Sequence, residues 1–584
     1  MGTHKINLKN LCVEMLEKSS LNEGLKQALC AQTTKTEVLS AVHLAHMYEA
    51  QISRKISKKE GIYYTPSGEA TAMATRLLMR WPLEEEPFPR CADPACGSGS
   101  MLIALIDTFS KQHASCLKRE DFYDRIFSQC LFGIDVDPAA VEISQIALVL
   151  AFSEVTGRIA PPELVRHLQK NIVCADSLLD RHPLLANESF DLILSNPPYG
   201  LSRDGRIDPR QNAALKERYA HYRFGKTNHY LLFIAKSLEL LRKNGVLSLI
   251  VPNSWLGIRS AETLRQGLLD QHELAELTSY DYPVFAEPGV EAVSFVVDRR
   301  SRPSTVTTYR ALDSKSTPRK IAELAHSFCR ELPGSVIPPL LPAPKCALLR
   351  RALSSFVALD SAQSPFQPLI ALQAYAKGKG SPPQSARDVA EHVYHSDRQT
   401  GADCVRYLKG ADVSRYKVNW SGSYLKYGPW LAEHQPLSRY QGARVLLREV
   451  VSPLPHIISA AVTEECYVYN RSVLHIICKK GVDAQAAWAL GALLNSKFAS
   501  EIVYYLGRKT QRTLFPKLVN DDLKSFPLPA PFFDLIPRLA ALAHAMQDDV
   551  KNGRYNQEIE HEIESLVSEL YNGARAFHAV TLPM

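Results

Sequence analysis

CADPACGSGSMLIALIDTF, residues 91–109, opens as a short apolar run, breaks at small residues and resumes with helical spacing. Asp93 stands at the end of the strand-like part, and Gly97 and Gly99 lie in the turn after Pro94, Ala95 and Cys96. Glycines let the backbone come close to a ligand at a helix N-terminus. At the C-terminal edge of a parallel sheet, that is where ligands bind. The dinucleotide fingerprint needs a third glycine at its own spacing, and this stretch lacks it.

Two further runs repeat the arrangement. CLFGIDVDP ends in Asp135 and Asp137. A carboxylate after the second strand can accept from ribose hydroxyls; Asp135 is best placed, and Asp137 reads as the N-cap of PAAVEISQIAL. NIVCAD ends in Asp176, where a carboxylate can accept from an adenine amino group. Singly, each acid reads as a loop or capping residue. Three at successive strand ends, after a glycine turn, point to a bound nucleoside. Further strand-like runs, FDLILSN, GVLSLIVP and AVSFVVD, alternate with amphipathic stretches. Such alternation predicts a doubly wound α/β domain.

FDLILSNPPYG carries the sharpest chemical signal: a buried strand ending in Asn196-Pro197-Pro198-Tyr199. Two prolines fix the backbone and leave carbonyls free of local donors. The Asn196 side-chain oxygen and the Pro197 carbonyl can each accept one N–H of an amino group. An exocyclic amine conjugated to a ring is a poor nucleophile, and holding both hydrogens favours a geometry in which its lone pair can attack. No strong base is required, so positioning and electrostatics carry the rate. Tyr199 offers a face on which a base turned out of a duplex can stack.

The chain has 584 residues, 46% of them hydrophobic and 22% charged. That is globular composition and room for several folded units. The net charge of +7 suits a polyanionic partner without requiring one. No apolar run predicts a membrane span, and MGTHKINLKNLCVEML lacks the apolar stretch of a signal peptide; a cytoplasmic protein is expected. The 12 cysteines form no C-x-x-C pair, so neither a metal site nor a disulfide scaffold is expected. Residues 1–60 read as a helical region that ends in a charged break from Arg54 to Glu60. Residues 61–300 read as the catalytic domain. Residues 301–345, rich in Pro, Ser and Arg, read as a junction within which strands are possible. Residues 346–535 read as an α+β domain of aromatic, basic and β-branched runs, and residues 536–584 as a helical segment.

DPACGSG, GIDVDP, CAD and NPPY in this order resemble the gamma class of amino-methyltransferases, the TaqI-like N6-adenine DNA enzymes of type II restriction-modification. The resemblance takes in GIYYTP (Gly61–Pro66), NHYLLFIAKSLELLRKNGVLSLIVPNSWL and VFAEPGVEAVSFVV. It is weaker in GADVSRYKVNW, LNSKFASEIVYYLG and FPKLVNDDLKSFPLP, which look like the target-recognition domain of such enzymes. It implies a class I S-adenosylmethionine-dependent methyltransferase fold. Tyr64, Thr65, Pro66, Asp93, Pro94, Ala95, Cys96, Gly97, Asp135, Asp176 and Asn196 would then line the S-adenosylmethionine site. Asn196, Pro197, Pro198 and Tyr199 would hold a flipped adenine, with Phe285 on its second face. Asp135 stands where many relatives carry Glu, and the shorter acid can still reach a ribose.

In the C-terminal half, Lys377, Lys409, Arg415, Arg508, Lys509 and Arg512 lie near Tyr and Trp residues, a composition suited to double-stranded DNA. GRKTQR (Gly507–Arg512) is the strongest of these stretches, a polar loop after a helix-like run. The rival acceptors are cytosine N4, RNA and protein amides. A long aromatic and basic C-terminal half is surplus for the RNA and protein enzymes. The first 60 residues are too few for a nuclease, so no cleavage is expected. Dependence on further restriction or defence subunits is left open.

Overall fold

Parallel strands buried on both faces read as continuous apolar runs, and β1 (Cys91–Asp93), β2 (Leu131–Asp135) and β4 (Phe190–Ser195) obey this rule, while β3 (Ile172–Cys174) forms the partly exposed edge. The computed structural model describes residues 7–36, 39–60, 65–86, 88–112, 121–200, 209–222, 228–285, 290–354, 356–511 and 516–572. The chain divides into two compact units, Met1–Leu340 and Leu341–Met584.

In the first unit, β5 (Leu241–Pro252), β6 (Leu274–Tyr280), β7 (Ala292–Asp298), β8 (Thr305–Ala311) and β9 (Arg319–Ala325) complete one sheet. Its order is β3-β2-β1-β4-β5-β7-β6-β8-β9. Strands β1 to β5 pair in parallel, and β7 lies antiparallel between β5 and β6. Through β6 this is the class I methyltransferase order, as the motifs implied. The helices are α1 (Leu8–Lys18), α2 (Glu23–Lys35), α3 (Ala41–Glu60), α4 (Ser67–Leu78), α5 (Ser100–Gln112), α6 (Phe122–Arg125), α7 (Pro138–Thr156), α8 (Pro162–Asn171), α9 (Pro209–Arg218), α10 (His229–Leu240), α11 (Glu262–Asp270) and α12 (His326–Glu331). α4, α5 and α7 pack side by side, α10 packs on β5, and α1 and α3 pack on α7. α7 is long and apolar enough to cross a membrane by composition, yet two-thirds of it is buried in this unit, as a core helix would be.

Three departures from the sequence reading have physical causes. Arg54 to Glu60 is not a break, because α3 continues to Glu60. The segment holds no Gly or Pro, and its lysines and arginine are good helix formers. β6 escaped notice because LAELTSY mixes polar and apolar residues. Residues 301–345 hold more than a connection: β8 and β9 extend the main sheet beyond β6, and α12 follows. Both strands are partly exposed near the sheet edge, so their polar residues hid them.

Arg265 of α11 is fully buried, and its guanidinium donates to the carbonyls of Trp255, Ile258, Gly334 and Ser335. One side chain thus satisfies four backbone acceptors that burial would otherwise strand.

The second unit opens with α13 (Ala343–Ser354) and β10 (Phe356–Ala358). Its larger sheet joins β11 (Phe366–Leu369), β17 (Arg444–Arg448), β18 (Ala460–Thr463) and β20 (Val473–Cys478) in the order β11-β20-β17-β18. A second sheet, β12-β16-β13-β19, is built from β12 (His395–Ser396), β13 (Cys404–Leu408), β16 (Tyr424–Lys426) and β19 (Val468–Tyr469). α14 (Ala386–Glu391) and the hairpin of β14 (Val413–Ser414) with β15 (Lys417–Val418) lie among these elements in the chain. Beyond β20 follow α15 (Gln485–Leu494), α16 (Lys497–Leu506), α17 (Asn520–Lys524), β21 (Pro527–Pro529), α18 (Ile536–Lys551) and α19 (Gln557–Asn572). The core is aromatic as well as aliphatic: Tyr407, Tyr440, Tyr467 and Tyr469 are buried with Leu372, Leu408 and Leu446.

Candidate active site

The four motif strands deliver their polar residues to one edge of the first unit. Asp93 sits opposite Gly133, and Asp135 opposite Cys174, so the acids stand at neighbouring strand ends. Asp93 is buried; its Oδ1 accepts from the Ala95 amide at 2.9 Å and from Ser195 Oγ at 2.6 Å. Burial pushes its carboxyl up to about 7, against the pull of those two donors. Asp135 accepts from the Gly97 amide at 2.8 Å through Oδ2 and from the Asp137 amide at 2.9 Å through Oδ1. Burial raises its carboxyl too, opposed by these backbone donors.

The glycine turn is held from three sides. Cys96 is buried, and its amide donates to the Ile134 carbonyl. The buried Pro94 carbonyl accepts from Ser177 Oγ at 2.6 Å. Gly97 and Gly99 have φ of +52° and +89°, where side chains are strained. A Cβ on Gly99 would fall 2.6 Å from Ser144 Oγ, whereas one on Gly97 would meet nothing within 4 Å. The space at Gly97 is therefore open.

Support also comes from an element that the motifs do not touch. Glu49, on the buried stripe of α3 with Leu44, Ala45 and Tyr48, accepts from Ser98 Oγ and Ser100 Oγ, each at 2.6 Å. Burial pushes its carboxyl up to about 7 against those two bonds. Tyr48 donates to Asp137 at 2.9 Å. Sequence reasoning missed Glu49 and Tyr48; the available signal was an acid lying on an apolar helical stripe. It also missed Ser195 and Ser177, whose roles depend on strand pairing.

Asp176 is half-buried and caps the next turn, accepting from the Leu178 and Leu179 amides. Its charge reaches His229 at the start of α10, whose ring burial holds below its ordinary value despite that carboxylate. The His229 amide donates to the Gly200 carbonyl at 3.2 Å, which ties α10 to the segment after Tyr199. Beside it, the Oδ1 of the buried N-cap Asn228 has no hydrogen-bond partner among the described residues.

Asn196 and Pro198 are half-buried and Pro197 is buried, directly beyond β4. Tyr199 is buried and donates to the Ile250 carbonyl at 3.1 Å. Phe285 lies against it edge-on, with ring centroids 5.6 Å apart and planes at 72°. The structure thus brings Tyr199 and Phe285 together, though the two rings do not form a parallel-sided slot. Thr65 is buried, with an Oγ1 that lacks a partner among the described residues, and Pro66 is the exposed N-cap of α4. Tyr64 lies outside the described residues, as does Arg512.

The basic residues of the second unit differ in their surroundings. Lys377 and Lys409 are exposed. Arg415 is committed inside the unit: it donates to the Asn495 carbonyl, to Tyr555 Oη and to Glu560. Arg508 pairs with Asp521, and the Lys509 carbonyl accepts from the Lys517 amide. A surface role for Arg415 and Arg508 would require breaking these pairs. His456, Glu560 and Glu564 gather within 4.8 Å. The Arg415 guanidinium and the Lys497 amide already compensate the two carboxylates, which reads as an ion-pair network.

Comparison with known proteins agrees with this division. Residues 129–285 match the Eco57I restriction-modification methylase family, and residues 405–528 the TaqI-like C-terminal specificity domain. The type II restriction enzyme and methyltransferase RM.Eco57I of Escherichia coli is 29% identical over 227 residues, 32% of this chain and 22% of that protein. The type II methyltransferase M.VspI of Vibrio sp. (strain 343) is 24% identical over 286 residues, 48% of this chain and 58% of that protein. The match therefore spans less than two-thirds of either relative. Among solved structures, the type IIL restriction-modification enzyme MmeI, in complex with DNA, aligns with a TM-score of 0.56 at 12% identity, over 96% of this chain and 82% of that one. The chain carries an Eco57I restriction-modification methylase domain followed by a TaqI-like C-terminal specificity domain.

Proposed function

We propose that this chain is a site-specific DNA methyltransferase that moves a methyl group from S-adenosylmethionine to N6 of an adenine turned out of duplex DNA, in the cytoplasm, as part of a restriction-modification or defence system. The observation that carries the reading is Asn196-Pro197-Pro198-Tyr199 at the end of β4, next to the strand ends that bear Asp93 and Asp135. The residues present fit the cofactor. The open space at Gly97 admits a ligand, the Thr65 hydroxyl, without a partner among the described residues, offers it a hydrogen bond, and the buried Asp93 and half-buried Asp135 suit an ammonium and a ribose. Asp93, Pro94, Ala95, Cys96 and Gly97 would hold one end, with Asp135 on the ribose and Asp176 on the adenine amino group. Thr65 and Pro66, with Tyr64, would close the other side. S-adenosylmethionine supplies an electrophilic methyl group carried on a sulfonium.

The chain's own residues prepare the acceptor. Asn196 Oδ1 and the Pro197 carbonyl each take one N6 hydrogen, and Pro198 keeps the turn rigid. That hold localises the N6 lone pair for attack, and the N6 proton leaves during or after transfer. Tyr199 is fixed by its bond to Ile250, and Phe285 turns from its edge-on contact to cover the second face of the base. In the second unit, Lys377, Lys409, Lys509 and Arg512 would meet DNA phosphates.

Single-molecule sequencing of genomes from hosts expressing this chain or Asn196→Ala tests the proposal. N6-methyladenine in one short context, absent with the variant, is the expected result. N4-methylcytosine in that context would reassign the acceptor, and no modified base would refute DNA methylation by the chain alone.

A further inference from the structure

A cleft of about 370 Å³ opens in the second unit between the end of β11, the 3-10 turn Leu437–Tyr440 and the start of α17. None of the basic residues singled out in the sequence lines it. Its charged groups largely cancel. Glu433 accepts from Lys379 at 2.7 Å and from Arg471 at 2.6 Å, and Lys524 lies 3.5 Å from Asp360. What remains is the guanidinium of Arg439 and the side-chain amides of Gln367, Gln435 and Asn520. None of these makes a side-chain hydrogen bond or ion pair among the described residues. The Asn520 Oδ1 is buried without a partner among the described residues, an arrangement that costs free energy unless a ligand completes it. One wall is aliphatic, Pro368 to Ile370, and Ile370 is 53% exposed there.

This set of groups narrows the ligand class. A phosphate or carboxylate would call for converging free cations, but two of the three lining cations are already matched by acids. A sugar would call for an aromatic platform, and no aromatic residue among the described ones lines the cleft. A nucleobase edge fits the remainder. One guanidinium can span the O6 and N7 acceptors of guanine, amides can pair with the mixed donor and acceptor edge of adenine, and an aliphatic wall can take a thymine methyl or a base face.

We propose that this cleft reads bases of the recognition sequence, with Arg439 as the guanine-reading group and Gln367, Gln435 and Asn520 as its amide partners. The inference rests on the DNA-binding part of the function proposed above and adds the residues that determine specificity. The base would be met either in the groove or extruded from the stack; the chemistry of its edge is the same.

The test uses the full chain as wild type, Arg439→Ala, Arg439→Lys and Gln435→Ala. Each is bound to a pool of duplexes with randomised sequence, and the bound fraction is sequenced; methyl transfer is measured separately. The wild type is expected to select a short motif containing guanine. Both Arg439 variants should lose the preference at one guanine position by roughly 10-fold or more, because lysine keeps the charge but not the fork. Affinity for unrelated duplex should stay within about twofold. Gln435→Ala, at the cleft rim, should relax a different position and guards against a folding failure at Arg439. An unchanged motif in all three variants, no motif in the wild type, or equal loss of binding to every duplex would overturn the proposal. Selection of a motif without methyl transfer would refute the catalytic reading and leave the cleft standing. With 2-aminopurine replacing the base next to the relaxed guanine, a fluorescence rise lost in Arg439→Ala supports an extruded guanine, and no rise in either protein supports reading in the groove.

Discussion

Replacing Glu49 by Gln should remove a pH dependence that the N-terminal helices impose on the glycine turn. Glu49 is buried, and its Oε1 holds Ser98 and Ser100. Its carboxyl rises from 4.5 to about 7 on folding because burial disfavours the charge. At about 1.4 kcal/mol per unit, that rise amounts to about 3.5 kcal/mol. The direction follows from proton counts. Below 4.5 the group is protonated in both states and costs nothing. Between 4.5 and 7 the unfolded chain has released the proton that the folded chain keeps, so stability falls with rising pH. Above 7 the full cost is present. The glutamine of Glu49→Gln keeps an acceptor for the serines and has nothing to titrate. Asp93 and Glu154 shift the same way, but they are common to both proteins and cancel in the comparison. Hydrogen exchange of α3 and α5 peptides, variant against wild type at each pH, also cancels intrinsic exchange. Near pH 4 the two should exchange alike; near pH 8 the variant should be protected roughly 300-fold more. A ratio that stays flat from pH 5 to 8 would refute the raised carboxyl. A variant less protected at every pH would show that the carboxyl group itself, rather than any acceptor at that position, is needed.

Other substitutions bear on the site and the frame. Gly99→Ala, at φ +89° with Ser144 Oγ in the way, should destabilise the first unit by about 2–4 kcal/mol in denaturant titrations. Gly97→Ala meets no neighbour, so it should cost only about 1 kcal/mol in stability while weakening S-adenosylmethionine binding by calorimetry. Arg265→Leu strands four carbonyls and should cost at least about 3 kcal/mol, read as a lowered melting temperature. His475 is buried, neither ring nitrogen has a partner among the described residues, and burial lowers its value from 6.5 to about 3. The unfolded chain then binds the extra proton below 6.5, so stability falls as pH drops from there towards 3. His475→Leu should abolish about 2 kcal/mol of the loss between pH 6.5 and 5, followed by melting at both values.

The candidate site was legible because its elements announce themselves locally. Asp93, Asp135, Asp176 and Asn196 each end an apolar run, and parallel topology then brings such ends to one edge. What remained hidden depends on partners distant in sequence. Arg415 looks like any surface arginine until Glu560 is folded against it, 145 residues away. Ser195 is one more polar residue until strand pairing sets it on Asp93. β8 and β9 lie near a sheet edge, where one side faces solvent and the apolar signal is halved. The cleft at Arg439 left no trace in the sequence, because its groups come from five separated segments.

The covering of α7 has a practical consequence for dissecting this protein. α1 and α3 lie on this nineteen-residue apolar helix, and Ser20, Ala41 and Tyr48 bond to Glu142, Glu154 and Asp137 along it. A fragment that starts at the first motif would lose the cover that α1 and α3 give α7, leaving that side of an apolar helix open while α5, α8 and the sheet hold the other. Such a fragment should partition into detergent or inclusion bodies during expression. The smallest useful catalytic piece therefore begins upstream of Leu8, however little chemistry its first helices perform.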